Sequence, residues 1–381
     1  MPDLARRLLA LVLALVVSAA AACAPRAAAP ATLAPAAPSL STAEFGALID
    51  RLSEPGGFFA SDNLVSNETS YLHVLGAMNA LGVSGGAYLG VGPDQNFSYI
   101  AAIRPEIVFL IDIRRDNLLQ HLLFKSVFEM ARNRLEFLCL MTGKPVPGNL
   151  AQWDEAEVAQ IVAYVDSAAA DPQLMQQTLA RVRETVKRYA HPLDESDLTN
   201  IQRIHVAFFE WGLETRYSNR GRLSGYPTWR QLILETDLDG NRRNYLASES
   251  SFRFLKSLHR RNLMIPVTGD LSGAHALAAI GREVAARGLR ISAFYTSNVE
   301  QYLMQGPGFA SFAQTVTQLP YDANTVFIRS YFRGRHPLNV PGHSSTQLLE
   351  RFESFVRETL EGGGYRTHYD LVTRNVLPLR K

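Results

Sequence analysis

The chain has 381 residues, of which 47% are apolar and 19% are charged, and these fractions exclude a wholly disordered chain. Lys and Arg total 38 against 36 for Asp and Glu, so a net charge of +2 gives no reason to expect a nucleic acid as the partner. The two cysteines allow at most one disulfide, which excludes a disulfide scaffold and a cysteine-rich zinc protein.

The first 23 residues have the layout of a secretory signal peptide. Arg6 and Arg7 precede an unbroken apolar run, Leu8–Val17, and small residues then lead to Cys23. The run is shorter than the ~20 residues that comfortably span a bilayer. An uncleaved anchor helix is the alternative interpretation.

The end of this segment, Ala20-Ala21-Ala22-Cys23, resembles the lipobox of bacterial lipoproteins. That resemblance implies lipidation of Cys23, which becomes the new N-terminus, and export to the cell envelope with a membrane anchor on the periplasmic side. Ala20 stands where the lipobox usually has Leu, so ordinary cleavage near Ala22, which gives a periplasmic protein, stays open. Residues 24–41 are rich in Ala and Pro and are predicted to form a tether.

The folded part is predicted to begin near Thr42, where Ser41 and Thr42 mark a capped helix start. Residues 54–69 form a polar, glycine-containing loop, and Ser66 is expected to cap a helix that runs to about Leu81. Segments at this position often fold over a ligand, although an ordinary capped loop is the alternative. The polar side chains concerned are Asp62, Asn63, Ser66, Asn67 and Glu68.

The next residues predict the strand, turn, helix, strand unit of a parallel sheet. Short apolar runs at Gly86–Val91 and Ile107–Ile111 predict two buried strands. The turn Gly92–Asn96 and a short helix, Phe97–Ile103, lie between them, and a long helix, Asn117–Met141, follows.

Residues 145–247 are mainly helical by pattern and are predicted to be an insertion. The alternation of strands and helices resumes in residues 248–381, so residues 42–144 and 248–381 are predicted to form one domain. Its fold class is α/β, a Rossmann-like, mostly parallel sheet with helices on both faces. The later predicted elements are helix Ser248–Arg260, strand Leu263–Val267, helix Ala274–Arg287, strand Leu289–Tyr295, strand Thr325–Tyr331, helix Gln347–Leu360 and strand Thr367–Val372.

A ligand is expected at the carboxyl edge of this sheet, where open α/β sheets bind ligands. Glycines before a helix let a ligand approach bare backbone N–H groups. An acid at the end of the next strand can accept hydrogen bonds from a ribose diol. The glycine turn can equally be a plain connection that binds nothing. The candidate residues are Gly90, Gly92, Asp94, Asn96, Asp112, Arg114, Asp270 and Asn298.

Residues 88–117, YLGVGPDQNFSYIAAIRPEIVFLIDIRRDN, resemble the first two motifs of class I S-adenosylmethionine-dependent methyltransferases. The resemblance implies S-adenosylmethionine as the candidate cofactor, with Gly90 and Gly92 in the glycine loop and Asp112 on the ribose. It also places Thr268–Gly273 after a fourth strand and Thr296–Asn298 after a fifth. Residues 42–144 and 248–372 are also similar to a family of bacterial exported proteins without an established activity.

The motif departs from the methyltransferase pattern at two places. Asp94, or Gln95 on dinucleotide spacing, stands at the third glycine position, and Tyr88 and Leu89 stand where the first strand usually carries an acid. Asp94 at a helix N-terminus would repel a phosphate but tolerate a cationic sulfonium or amine.

The predicted address and the resemblance also conflict, because S-adenosylmethionine is made in the cytoplasm. The sequence therefore favours an exported protein that binds a nucleoside-like or other small polar ligand, or an envelope interaction module, over an active, membrane-tethered methyltransferase. No catalytic residue is predicted.

The remaining motifs predict no metal site. The loop that begins at Asp237 lacks the ligands of a calcium loop and is interpreted as a turn. His336 and His343 lack a third zinc ligand. Cys139 lies in an apolar stretch and is predicted to be a small buried hydrophobic residue.

Overall fold

The computed structural model describes residues 39–218, 225–332 and 336–380. The predicted signal peptide, Cys23 and most of the tether lie outside these ranges. Ser41 does cap the first helix, because its Oγ accepts the Glu44 N–H while Glu44 Oε2 accepts the Ser41 N–H. The helices and strands in chain order are α1 Thr42–Leu52, α2 Leu75–Ala80, β1 Ala87–Gly90, α3 Gln95–Ile103, β2 Ile107–Asp112, α4 Arg115–Met130, α5 Arg134–Thr142, α6 Val158–Ser167, α7 Pro172–Val186, α8 Glu195–Trp211, α9 Trp229–Leu234, α10 Glu249–Arg260, β3 Met264–Thr268, α11 Ala276–Ala286, β4 Ile291–Ser297, α12 Val299–Leu303, α13 Gly308–Val316, β5 Val326–Tyr331, β6 Thr346–Arg351, α14 Phe352–Leu360 and α15 His368–Thr373.

The six strands form one sheet in the order β3-β2-β1-β4-β5-β6. The pairs from β3 to β5 are parallel, and β6 runs antiparallel to β5. The fold is therefore the predicted Rossmann-like α/β class. β1 and β3 are buried along their whole length and β2 up to its last residue, which is why they appear in the sequence as uninterrupted apolar runs. The order reverses between β1 and β4, so the carboxyl ends of these two strands flank a crevice.

Two late elements differ from the sequence prediction. Thr346–Arg351 is strand β6 and not the start of a helix, because it pairs with β5 from Thr346 opposite Tyr331 to Arg351 opposite Val326. Thr367–Val372 is helix α15 and not a strand, because Thr367 Oγ1 accepts the Asp370 N–H and Asp370 Oδ2 accepts the Thr367 N–H.

Three smaller expectations also change. The long helix predicted over Asn117–Met141 is two helices, since Asn133 caps α5 by accepting the Glu136 N–H at 3.0 Å. The stretch after Ser66 becomes helical only at Leu75. Thr268–Gly273 and Thr296–Asn298 follow the third and fourth strands of the described chain, not a fourth and a fifth.

The helices of residues 145–247 cover one side of the sheet domain. Helices α7 and α8 pack against α4, and α8 also packs against α5. All of these elements belong to the compact unit of residues 38–381. Within the described ranges every helix is too short or too polar to cross a bilayer.

Candidate ligand-binding site

A cavity of about 300 Å³ lies at the carboxyl edge of the sheet, beside the point where strand order reverses. The ends of β1, β2, β3 and β4 supply its floor, and the loop between α1 and α2, residues 53–74, supplies a wall. The structure thus brings together five predicted residues from four separate strand ends. These are Gly92, Asp112, Arg114, Asp270 and Asn298.

The two glycines of the turn have different roles. Gly92 has φ +79°, a conformation that favours glycine, and it lines the cavity. A Cβ there would lie 3.4 Å from Asn63 Nδ2 and from Gln95 Nε2, so the wall and α3 both approach this backbone closely. Gly90 does not line the cavity. A Cβ on Gly90 would overlap the side chain of Asn96 beneath it.

Asp94 and Asn96 are both predicted to bind the ligand, but neither lines the cavity. Their side chains instead make buried hydrogen bonds inside the protein. Asp94 Oδ2 accepts the Trp229 Nε1–H at 2.8 Å and the Tyr245 hydroxyl at 3.2 Å. Burial raises the pKa of Asp94 to about 6. Asn96 Nδ2 donates to the Val91 carbonyl at 2.8 Å, which fixes the end of β1.

Asp112 lies at the predicted place and is held by Arg114. Its Oδ1 accepts the Arg114 backbone N–H at 2.9 Å, and its Oδ2 accepts Arg114 Nη2 at 3.1 Å. Arg114 Nη1 also donates to the Ser61 and Asp62 carbonyls, so the guanidinium joins the end of β2 to the cavity wall. A carboxylate has about four lone-pair positions, so Asp112 retains acceptor capacity for a ligand hydroxyl.

Asp270 and Asn298 complete the predicted set at the ends of β3 and β4. Asp270 Oδ1 accepts both the backbone N–H and the hydroxyl of Ser272 at 2.8 Å, and the Asp270 N–H donates to Glu54 of the wall at 2.9 Å. Asn298 follows Ser297 and is the residue from which α12 begins. The loop between α1 and α2 is therefore hydrogen-bonded to residues at the ends of β2 and β3.

Glu68 is the most deeply buried carboxylate of the cavity, with 1% of its surface exposed. It accepts hydrogen bonds from the Tyr295 hydroxyl at 2.6 Å, the Ser297 hydroxyl at 2.5 Å and Gln347 Nε2 at 2.6 Å. Burial raises its pKa, and these hydrogen bonds lower it in part. Sequence reasoning placed Glu68 only in a polar loop. Its donors on β4 and β6 gave no local signal.

Two non-glycine residues of the lining have left-handed backbone conformations. Ser297 has φ +56° and Asn63 has φ +48°. Ser297 also ends an irregularity in the pairing of β4 with β5, which turns its hydroxyl toward Glu68. Such conformations are uncommon for residues other than glycine and cluster at functional sites.

Aromatic side chains surround the mouth of the cavity. Phe59 packs edge-on against Tyr302 with ring centroids 5.2 Å apart. Phe58 is 87% exposed although it also lines the cavity. These rings give a planar ligand apolar surface next to the polar floor.

The cavity has an excess of carboxylates. Among the described residues that line it, three carry a carboxylate, Glu68, Asp112 and Asp270, and one carries a guanidinium, Arg114, which is already paired with Asp112. Within the described ranges, no group of three or more His, Cys, Asp or Glu side chains is placed to hold a metal ion. The site is thus suited to a ligand that donates hydrogen bonds and carries no net negative charge.

The other sequence motifs lie away from the cavity. Asp237 Oδ1 accepts the N–H groups of Asp239 and Asn241, so this loop is a turn as predicted. His336 Nε2–H donates to the Val372 carbonyl at 2.8 Å. Cys139 is buried as predicted, and burial raises its pKa to about 12.

Comparison with known proteins gives one family. No curated protein matches the chain significantly. A family model described as a domain of unknown function, DUF7790, matches residues 64–207 and 217–369. The matched ranges hold the cavity residues from Asn67 to Leu303 and continue through β5 and β6. The chain therefore belongs to the DUF7790 family.

Proposed function

We propose that this domain binds a small nucleoside-like ligand in the cavity at the carboxyl edge of its sheet. The observation that supports this proposal is that residues from four separate strand ends line the same cavity: Gly92, Asp112, Asp270 and Asn298. Gly92 lines the cavity and has no side chain, so a ligand can approach its backbone closely, and Asp112 accepts hydrogen bonds from a diol. The aromatic mouth receives the base.

An active methyltransferase is the second candidate. Gly92 and Asp112 line the same cavity. This favours a methyltransferase, because these residues are part of the motifs that resemble the methyltransferase family. Asp94, which stands at the third glycine position, turns its carboxylate inward to Trp229 and so adds no charge to the cavity. The proposed export of the protein opposes this candidate, since the methyl donor is made in the cytoplasm. Binding is therefore proposed first and methyl transfer second.

Titration calorimetry with adenosine, S-adenosylhomocysteine and S-adenosylmethionine tests the proposal. We expect Asp112→Asn to weaken binding by about 1.5–3 kcal/mol, the contribution of hydrogen bonds to a charged group. Asp116→Asn is the matched control, because Asp116 follows on the same edge but pairs with Arg203 and does not line the cavity. Thermal melting of each variant verifies folding.

Two outcomes would contradict the proposal. If none of the three compounds binds the wild-type protein at millimolar concentration, the nucleoside ligand is wrong and an envelope interaction module takes its place. If they bind but Asp112→Asn and Asp116→Asn behave alike, the ligand lies elsewhere. Methyl transfer requires in addition that bound S-adenosylmethionine be converted to S-adenosylhomocysteine.

A further inference from the structure

We infer that the β4 end of this cavity binds a primary ammonium group of the ligand, with the Glu68 carboxylate as its counter-charge. The inference rests on the proposed function and specifies the chemical class of the ligand: a nucleoside with a short aminoalkyl tail. Three observations support it, and each concerns a different group of atoms.

The first observation is the set of groups that hold Glu68. Among the described residues, its hydrogen-bond donors are two hydroxyls and one amide, from Tyr295, Ser297 and Gln347, and none of these three carries a charge. Buried carboxylates are normally paired with a cation, because desolvation without a counter-charge is costly. Glu68 differs in this from the buried carboxylate of Glu350, which is paired with Arg329. A cationic ligand group would supply the missing charge.

The second observation is an acceptor beside Glu68 that lacks a donor. Gln95 lines the cavity and is 6% exposed. Its Nε2 donates at 3.0 Å to the Tyr295 hydroxyl, which in turn donates to Glu68, so the orientation of the amide is fixed. Gln95 Oε1 is then buried without a hydrogen-bond partner among the described residues. Such an atom needs a donor, and a ligand N–H would provide it.

The third observation is the remaining acceptor capacity. Three of the roughly four lone-pair positions of the Glu68 carboxylate are already used, so it can accept one further N–H but offers too few positions for a metal ion. An ammonium group has three N–H donors. Glu68, Gln95 and Asn298 all line the cavity. The Tyr295 hydroxyl joins Gln95 to Glu68, and the Ser297 hydroxyl lies 2.5 Å from Glu68 Oε1 and 3.4 Å from Asn298 Oδ1, so the three acceptors are close together.

Strand spacing sets the length of the ligand. β1 separates β2, which carries Asp112, from β4, which carries the Glu68 partners Tyr295 and Ser297. Neighbouring strands lie about 4.8 Å apart, so the diol and ammonium positions lie about 10 Å apart. A nucleoside extended at its 5′ position by a few atoms spans this distance.

Two synthetic probes isolate the ammonium group: 5′-(propylthio)-5′-deoxyadenosine and 5′-(3-aminopropylthio)-5′-deoxyadenosine. They share the nucleoside and the thioether and differ only in the terminal amine. We expect the wild-type protein to bind the amine probe at least tenfold more tightly than the neutral probe. Glu68→Gln should abolish this preference, so that the variant binds the two probes with affinities within about twofold of each other. Asp112→Asn should weaken both probes by the same factor.

The controls separate the failure of this inference from the failure of the proposed function. Glu106→Gln makes the same substitution at the amino end of the sheet, next to β2, and should keep the tenfold preference. If Glu68→Gln does not fold, Gln95→Met removes the second acceptor and should reduce the preference. If the neutral probe binds the wild type but the amine confers no gain, or the gain survives in Glu68→Gln, the ammonium site is wrong while nucleoside binding stands. If neither probe binds, the ammonium site is wrong; if adenosine also fails to bind the wild type, nucleoside binding is wrong as well.

Discussion

Asp94 and Glu68 are both buried carboxylates, with 3% and 1% of their surfaces exposed. Asp94 is directed inward and has aromatic donors, Trp229 and Tyr245, from the chain beyond α8. Glu68 borders the cavity. Two side chains of similar chemistry therefore have different consequences: the first affects the stability of the fold and the second affects what the cavity binds.

Asp94 makes stability depend on pH. Its pKa is about 6 in the folded protein against 3.8 ordinarily, so the folded state binds this proton more tightly than the unfolded chain does. The stabilisation is fully present below pH 3.8 and is lost as the pH rises through 6. Asp94→Asn has no proton to lose. We therefore expect the free energy of unfolding of the variant, minus that of the wild type, to increase by up to about 3 kcal/mol as the pH is raised from 4 to 7.5.

Urea unfolding of both proteins at several pH values measures this difference. A variant that parallels the wild type at every pH would contradict the inward placement of Asp94. The affinity of Asp94→Asn for nucleosides should stay close to that of the wild type, because the side chain does not line the cavity.

At the scale of elements, the antiparallel edge depends on one buried arginine. Arg329 on β5 donates to Glu300 of α12 at 2.9 Å and to Glu350 of β6 at 2.5 Å. Its guanidinium also lies 4.3 Å from the ring centroid of Phe327. Glu350 in turn accepts the Tyr365 hydroxyl at 2.6 Å. This network connects β5 and β6 to helix α12, which directly follows β4.

Arg329→Met should destabilise the protein by about 3–5 kcal/mol, because it leaves two buried carboxylates without their cation. Adding Glu300→Gln and Glu350→Gln should recover a large part of the loss, since neutral amides cost less to bury. Urea unfolding of the single and triple variants measures both effects. A single variant within about 1 kcal/mol of the wild type would show that the network contributes little.

The elements also show what local sequence can predict. β2 and β3 are covered on both faces, so burial imposes apolar runs that are visible without a structure. β6 was missed because Gln, Leu, Glu and Arg are good helix formers, and the pairing with β5 overrides that preference. The helix at His368–Thr373 does have a local signal, a Thr three residues before an Asp, but the apolar residues around it favour a strand.

The candidate site was likewise predictable in part from the sequence. Gly92, Asp112, Asp270 and Asn298 follow predicted strands, and parallel strands end at one edge, so their convergence follows from the fold class. Glu68 was not predictable in this way. Its partners Tyr295 and Gln347 lie 227 and 279 residues away in the chain. Only long-range packing brings them together.

At the scale of the whole molecule, the proposed lipid anchor would determine the compartment in which the protein binds its ligand. Cys23 lies outside the described residues, and its lipidation is a proposal from the sequence. We expect Cys23→Ala to move the protein from the membrane fraction to the soluble fraction. Cys139→Ala is the matched control, because Cys139 is buried in α5 and should not affect fractionation. A Cys23→Ala protein that stays membrane-bound and uncleaved would identify the segment as an anchor helix instead.

The contact between Glu68 and Gln347 has a consequence for how the protein is made. These residues are 279 positions apart, and Ser70 and Ser345 beside them are also hydrogen-bonded. A chain synthesised or translocated from its N-terminus presents Glu68 early, but the wall it belongs to cannot close until β6 has emerged. Contacts of such large sequence separation form late and slowly. Nascent chains shorter than about 350 residues would therefore hold Glu68 in water, and ligand binding would begin only with the nearly complete chain.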